Sequence, residues 1–239
     1  MHIRLKKRLL NAATAPFKAA GITHYYWARG KLGGDPIFPA LLERSVFPDK
    51  TRILDLGCGR GLLAAWLLAA ERLAEQREWT ASFQPPKGLH FRGVELITRE
   101  ALCGNTVLRN AHGERVSLSG GDMRAADMAE IDAVTILDVL HYIPHAEQDH
   151  LLDRIRAALG HGGIFITRVG DASAGWRFRF SQMVDHCMAA LQGHRYPPTW
   201  CRPLAEWRQV LESRGFSVEA LPMSGGTLFA NVLLICRVK

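Results

Sequence analysis

The chain of 239 residues carries five cysteines and no C-x-x-C pair among them. Cys58, Cys103, Cys187, Cys201 and Cys236 are odd in number and far apart, which argues against a disulfide framework or a zinc site and fits a reducing cytoplasm. Long apolar runs are also missing. The longest, residues 61–70, is about half of the roughly 20 residues that a bilayer-spanning helix needs. No apolar stretch with a small-residue cleavage site follows the basic beginning, so no secretory signal is expected. The sequence contains neither an internal repeat nor a low-complexity tract. Finally, no Asp or Glu occurs in residues 1–34, which hold Arg4, Lys6, Lys7, Arg8, Lys18, Arg29 and Lys31. The formal net charge of +7 therefore sits entirely there, and the remainder balances 23 basic against 23 acidic side chains. A groove-binding protein spreads its basic stripe over the body of the fold, so a general nucleic-acid surface is disfavoured.

What is present is a foldable core: 48% of residues are hydrophobic and 22% charged, which excludes wholesale disorder. From about residue 51, strand and helix patterns alternate, the signature of a parallel sheet with helical crossovers. Strands are expected over 51–56, 90–96, 115–119, 133–139, 164–169, 216–221 and 228–238. Helices are expected over 62–76, from a Thr98 cap, after Pro144, and after Pro203. The last two strands, joined by a short turn, imply an antiparallel pair. Two helices are expected before residue 51, a basic one to about 20 and one over 36–45. The expected fold class is α/β, a doubly wound, mostly parallel sheet of seven strands. It comprises an N-terminal helical cap over 1–48 and a main domain over 49–239, with an inserted aromatic lid over 171–200.

The strongest chemical signal is ILDLGCGRGLL, residues 53–63. An apolar strand ends in Asp55, glycines follow at 57, 59 and 61, and a helix begins. Such glycines let the backbone turn sharply and let a ligand approach the main chain. A nicotinamide fingerprint would place its third glycine at 62 and an acid about 20 residues on. Position 62 is leucine and the next strand-end acid is Glu95, so the dinucleotide pattern fails on both counts.

With this D-x-G-x-G-x-G motif the chain resembles the class I S-adenosylmethionine-dependent methyltransferases, whose Rossmann-like fold also ends in an antiparallel strand pair. The resemblance runs from about residue 51 to 169. It implies S-adenosylmethionine as cofactor, with Gly57, Cys58, Gly59 and Gly61 against its methionine part and Asp55 orienting the loop. Glu95, followed by Leu96, would accept from both ribose hydroxyls. Asp122 in GGDM would accept from the adenine amino group, with Met123 against the ring. In LDVLHYIP, after the fourth strand, Asp138 would meet the cofactor's amino end, and His141 and Tyr142 would border the methyl group. His141, with an ordinary pKa of about 6.5, is the candidate base, and an orienting role is its alternative. No metal site is expected.

Departures from family patterns narrow the substrate. The Asn-Pro-Pro-aromatic box of many amino-group methyltransferases is missing, and no cysteine stands at the positions used by carbon methyltransferases of RNA and DNA. A small-molecule or carrier-bound acceptor remains. The segment HYYWARGKLGGDPIF, residues 24–38, resembles methyltransferases of bacterial aryl-polyene pigment pathways, which implies an aromatic acyl acceptor in secondary metabolism. Arg29 and Tyr26 are the residues there expected to close the cofactor pocket. The lid, with Trp176, Phe178, Phe180, Met183, Tyr196, Trp200 and several arginines including Arg168, is expected to select the substrate. Residues 1–20 offer a surface for an anionic membrane or an acidic carrier protein, with a solvated helix end as the alternative. Three other readings stay open, an RNA methyltransferase using the basic N-terminus, a non-catalytic cofactor-binding subunit and a nicotinamide enzyme.

Overall fold

The computed structural model describes residues 1–173, 175, 199–223 and 231–239. Its strands form one seven-stranded sheet in the order β3-β2-β1-β4-β5-β7-β6. They are β1 (Arg52–Leu56), β2 (His90–Glu95), β3 (Val116–Gly120), β4 (Ala133–Leu137), β5 (Ile164–Gly170), β6 (Phe216–Pro222) and β7 (Asn231–Val238). This is the expected fold class. The chain divides into two compact units, Met1–Val134 and Thr135–Lys239.

In the first unit β1 pairs in parallel with β2, and β2 with β3. The registers set Asp55 beside Gly93 and Glu95 beside Gly120. The acids that end β1 and β2 therefore emerge at the carboxyl edge, where open α/β sheets take their ligands. Helix α4 (Leu62–Glu75) follows β1 and is apolar nearly all round, with Leu63 to Ala70 and Leu73 buried. A helix is apolar on every side when it is covered on every side. Here the covering comes from α1 (Ile3–Thr14), α2 (Ile22–Gly34) and α3 (Ile37–Glu43), all of which touch α4. Leu5, Leu9 and Ala13 form the buried stripe of α1 at helical spacing. That stripe is already committed to the fold, and its other faces hold exposed Arg4, Lys7 and Arg8 with Ile3 81% exposed.

Helix α2 was not among the expected elements. Its Gly30, Gly33 and Gly34 weaken the helical signal, and only Ala28 and Leu32, four apart, are buried. Packing on neighbouring helices overrides the weak propensity. Helix α5 (Thr98–His112) differs at its start: Ile97 occupies the cap position and Thr98 is the first helical residue. The Thr98 side chain lies instead against Gly120, where a Cβ would meet Oγ1 at 2.3 Å.

In the second unit β7 runs antiparallel to both β5 and β6, as the paired pattern predicted. Helices α6 (His145–Ala158) and α7 (Leu204–Glu212) bury Leu151, Leu152 and Ile155, and Trp207 and Leu211. Strand β4 stops at Leu137, two residues short of expectation, because Asp138 takes a left-handed backbone, φ 62°. Arg168, grouped with the lid, lies instead within the expected fifth strand, β5, and is 8% exposed. Most of the lid, including Trp176, Phe178, Phe180, Met183 and Tyr196, lies outside the described residues. Among the described residues no helix is long and apolar enough to cross a membrane.

Candidate functional site

The glycine loop joins β1 to α4 through three left-handed positions, Gly57, Gly59 and Gly61, at φ 76°, 54° and 76°. Two of them need glycine for different reasons. A Cβ on Gly61 would meet methyl carbons of Leu108 and Leu118 at 2.6 and 2.8 Å, so this residue seats the helix start against the core. A Cβ on Gly59 would meet nothing within 4 Å. Its outer side is open, and only the backbone conformation demands glycine there.

The end of β2 holds this loop. Val94 carbonyl oxygen accepts from the amides of Gly57 and Cys58 at 2.8 and 3.3 Å. One carboxylate oxygen of Glu95 accepts from the Gly59 amide at 2.9 Å, and the other from the Ile97 amide at 2.9 Å. Each oxygen keeps a second lone pair, so the carboxylate can still take two donors from a ligand. Asp55 is buried behind the loop. Burial, reinforced by the nearby carboxylates of Asp55 and Glu95, pushes the Cys58 thiol far above its usual range. Cys58 is therefore a small neutral filler, not a reactive thiol. Leu96 is 74% exposed beside Glu95.

Asp122 and Met123 follow β3 and are half-buried. The Asp122 carboxylate caps the Arg124 amide at 2.9 Å and forks onto its guanidinium, with Nη2 to Oδ2 at 2.6 Å. The Arg124 side chain and amide hold the Asp122 carboxyl below the usual carboxylate range. Arg29 donates to Asn11 Oδ1 at 2.7 Å and to the Tyr25 hydroxyl at 3.3 Å. Tyr26 is 64% exposed, its ring edge-on to Tyr25. The aromatic that reaches the glycine loop is Trp27, whose ring lies 4.5 Å from the Arg60 guanidinium carbon.

The second unit carries the other candidate residues. Asp138 forks onto Arg168, with Nε to Oδ1 at 2.7 Å and a second, shorter contact from Nη2 to Oδ2. The short helical turn Leu140–Tyr142 then presents His141 and Tyr142, ring centroids 4.2 Å apart. Burial lowers the His141 pKa, with Asp138 opposing more weakly. His141 Nε2 is buried and has no hydrogen-bond partner among the described residues. A neutral imidazole with an unpartnered ring nitrogen can accept a proton.

Sequence reasoning missed what holds this turn. Gln148 is fully buried, and its amide nitrogen reaches the carbonyl oxygens of Leu140, Ile143 and Trp200 at 3.2, 3.0 and 2.7 Å. Its side-chain oxygen accepts from Arg202 Nε at 3.1 Å, and His141 carbonyl oxygen accepts from the Trp200 amide at 2.8 Å. The contacts from Gln148 to Trp200 and Arg202 span 52 and 54 residues, beyond any local pattern. His145 is half-buried with its ring 5.8 Å from Trp200. Among the described residues no group of three or more His, Cys, Asp or Glu is placed to hold a metal ion.

Several solved structures share the fold. Magnesium protoporphyrin IX methyltransferase from Synechocystis PCC 6803, with bound SAH, aligns at TM-score 0.57 and 17% identity over 85% of this chain and 80% of its own. The pyocyanin biosynthetic protein PhzM gives 0.63 and 18% over 91% of this chain and 58% of its own. The mitomycin 7-O-methyltransferase MmcR gives 0.58 and 21% over 89% and 56%. No curated protein matches. The methyltransferase-domain family profile matches residues 26–221, which takes in β1 through β6 and both sets of candidate residues. The chain belongs to the methyltransferase-domain family.

Proposed function

We propose that the chain transfers the methyl group of S-adenosylmethionine to a small aromatic acceptor. The observation that carries the reading is the Glu95 carboxylate. It holds the Gly59 amide and keeps spare acceptor capacity, while the space over Gly59 is open. A cofactor presenting a vicinal diol to a carboxylate and a compact chain to a glycine loop fits that arrangement. Gly57, Cys58, Gly59, Gly61 and Asp55 would hold its methionine part, and Glu95 with Leu96 its ribose. Asp122 and Met123 would flank the adenine, with Tyr26, Arg29 and Asp138 as further candidates for the methionine end of the cofactor. Bound there, S-adenosylmethionine supplies an electrophilic methyl group on a sulfonium.

His141 would take the proton of a phenol or carboxylic acid onto Nε2, which burial keeps neutral near pH 7. Tyr142 and Trp200 are 39% and 41% exposed, and the Trp200 amide bonds the His141 carbonyl; together they offer aromatic surface suited to a planar acceptor. Two structural neighbours, the mitomycin 7-O-methyltransferase MmcR and the pyocyanin biosynthetic protein PhzM, support a small-molecule acceptor. An aromatic acyl group on a carrier protein, met in the cytoplasm, is the finer form of the same reading.

The test is methyl transfer from methyl-labelled S-adenosylmethionine to free phenolic acids, to the same acids as carrier-protein thioesters, and to total RNA. Label on a phenolic acid in either form supports the proposal. Label confined to RNA, or none on any acceptor despite cofactor binding, overturns it.

A further inference from the structure

Arg60 stands in the glycine loop between Gly59 and Gly61, the two positions with the least intrinsic stiffness. Helix α5 meets it twice. The Arg60 guanidinium forks onto Glu100, with Nε to Oε2 at 2.5 Å and Nη2 to Oε1 at 3.2 Å. One turn later the Arg60 main chain lies so close to Gly104 that a Cβ there would meet its carbonyl oxygen at 2.4 Å. The next turn brings Leu108 against Gly61. Residues 100, 104 and 108 are four apart, so a single face of α5 follows the loop residue by residue. On the other side the Trp27 indole covers the guanidinium at 4.5 Å. The side chains of Arg60 and Glu100 are only 15% and 22% exposed, so the pair is shielded from the solvent screening that weakens surface ion pairs.

We infer that Trp27, Arg60 and Glu100 form a clasp that fixes the shape of the glycine loop, with Trp27 and Glu100 as positioning residues for cofactor binding. This deepens the proposed function and rests on it. A packed core residue would serve stability in general. Trp27, however, is 39% exposed, and the buried residues of its helix are Ala28 and Leu32. Its ring lies on the guanidinium, where a cation over an aromatic face is attracted by the ring quadrupole. The Gly59 amide that Glu95 holds is the neighbour of Arg60. Release of the guanidinium lets Arg60 swing between its flanking hinges, Gly59 and Gly61, and so disturbs the Gly59 amide beside it.

The test uses Trp27→Leu, Trp27→Phe, Glu100→Gln and the Trp27→Leu/Glu100→Gln double variant of the whole chain. Hydrogen exchange of the 57–61 amides is followed without ligand, and S-adenosylmethionine affinity by calorimetry. Trp27→Leu and Glu100→Gln each speed loop exchange about tenfold and raise Kd about five- to twentyfold, while exchange within α4 is unchanged. Trp27→Phe stays within about twofold of wild type, because the aromatic face is kept. The double variant loses less than the product of the two single effects, since both act through Arg60. Unchanged loop exchange and Kd in both single variants overturn the clasp. So does equal acceleration across α4, which would mark a general loss of stability. Should the wild type bind no S-adenosylmethionine, the function fails while loop exchange still decides the clasp.

Discussion

The glycine loop offers a pair of substitutions whose effects should separate stability from binding. Gly59→Ala places a methyl group at φ 54° with no atom within 4 Å. The left-handed backbone costs an L-residue about 1–2 kcal/mol, and the stiffer unfolded chain returns about 0.4–1 kcal/mol. The net loss is about 0–1.6 kcal/mol, a melting shift within about 6 °C for a chain of this size. Gly61→Ala has the same backbone term at φ 76° and adds a clash with Leu108 and Leu118, at 2.6 and 2.8 Å. Those side chains are 0% and 5% exposed and have little room to move. Overpacking of this kind costs about 1–3 kcal/mol more, for a total of about 1–4.6 kcal/mol and a melting drop of about 2–18 °C. Affinity should follow the opposite order. The Gly59 methyl projects into the space proposed for the cofactor and should raise its Kd at least about tenfold, against about threefold or less for the folded Gly61 variant. Differential scanning calorimetry without ligand and titration calorimetry with S-adenosylmethionine read the two quantities. A Gly59→Ala protein that binds as tightly as wild type would refute the assignment of the open side of the loop to the cofactor.

Two further outcomes rest on titratable groups. Burial lowers the pKa of His141, and of His112 with help from Arg115 and Arg72. Between those lowered values and about 6.5 the unfolded chain binds more protons than the folded one, so stability rises with pH through that window and is full above it. Urea unfolding midpoints should therefore fall as pH drops below about 6.5, and the acid limb of the methyl-transfer profile should lie below that value and disappear in His141→Asn. Glu71 is 4% exposed and accepts from the Gly88 amide at 2.7 Å and from Arg115, whose own side chain is 32% exposed. Arg115→Met strands this carboxylate and should cost about 2–3 kcal/mol, below the range for fully buried pairs because Arg115 is partly solvated. The expected melting loss is about 4–12 °C, and Glu71→Gln in the same chain should recover most of it.

The arrangement of the glycine loop was legible because its parts recur at the ends of strands. Asp55, the three glycines and Glu95 each follow an apolar strand, and the period-2 pattern alone aligns them along the carboxyl edge of β1 and β2. The connections that shape the site were not legible. Asp138 and Arg168 are 30 residues apart, Arg60 and Glu100 40, and no local periodicity links such pairs. Arg168 lies inside the expected fifth strand, and nothing local marks Asp138 as its partner. Trp27 reads as one of three adjacent aromatics, and only the helical turn of α2 directs it, rather than Tyr26, toward Arg60. The basic N-terminus was legible in charge but not in packing, since Leu5, Leu9 and Ala13 already fill the interior.

In the proposed function the Glu95 carboxylate binds the cofactor through its hydroxyl groups. Titration calorimetry of S-adenosylmethionine into wild type and Glu95→Ala tests it most directly. Two hydrogen bonds to a charged acceptor contribute about 1.5–3 kcal/mol each, so the variant should lose at least about a hundredfold in affinity. Wild-type protein should bind one equivalent with a Kd in the micromolar range. Glu95→Ala binding as tightly as wild type, or no binding to the wild type, would contradict the account.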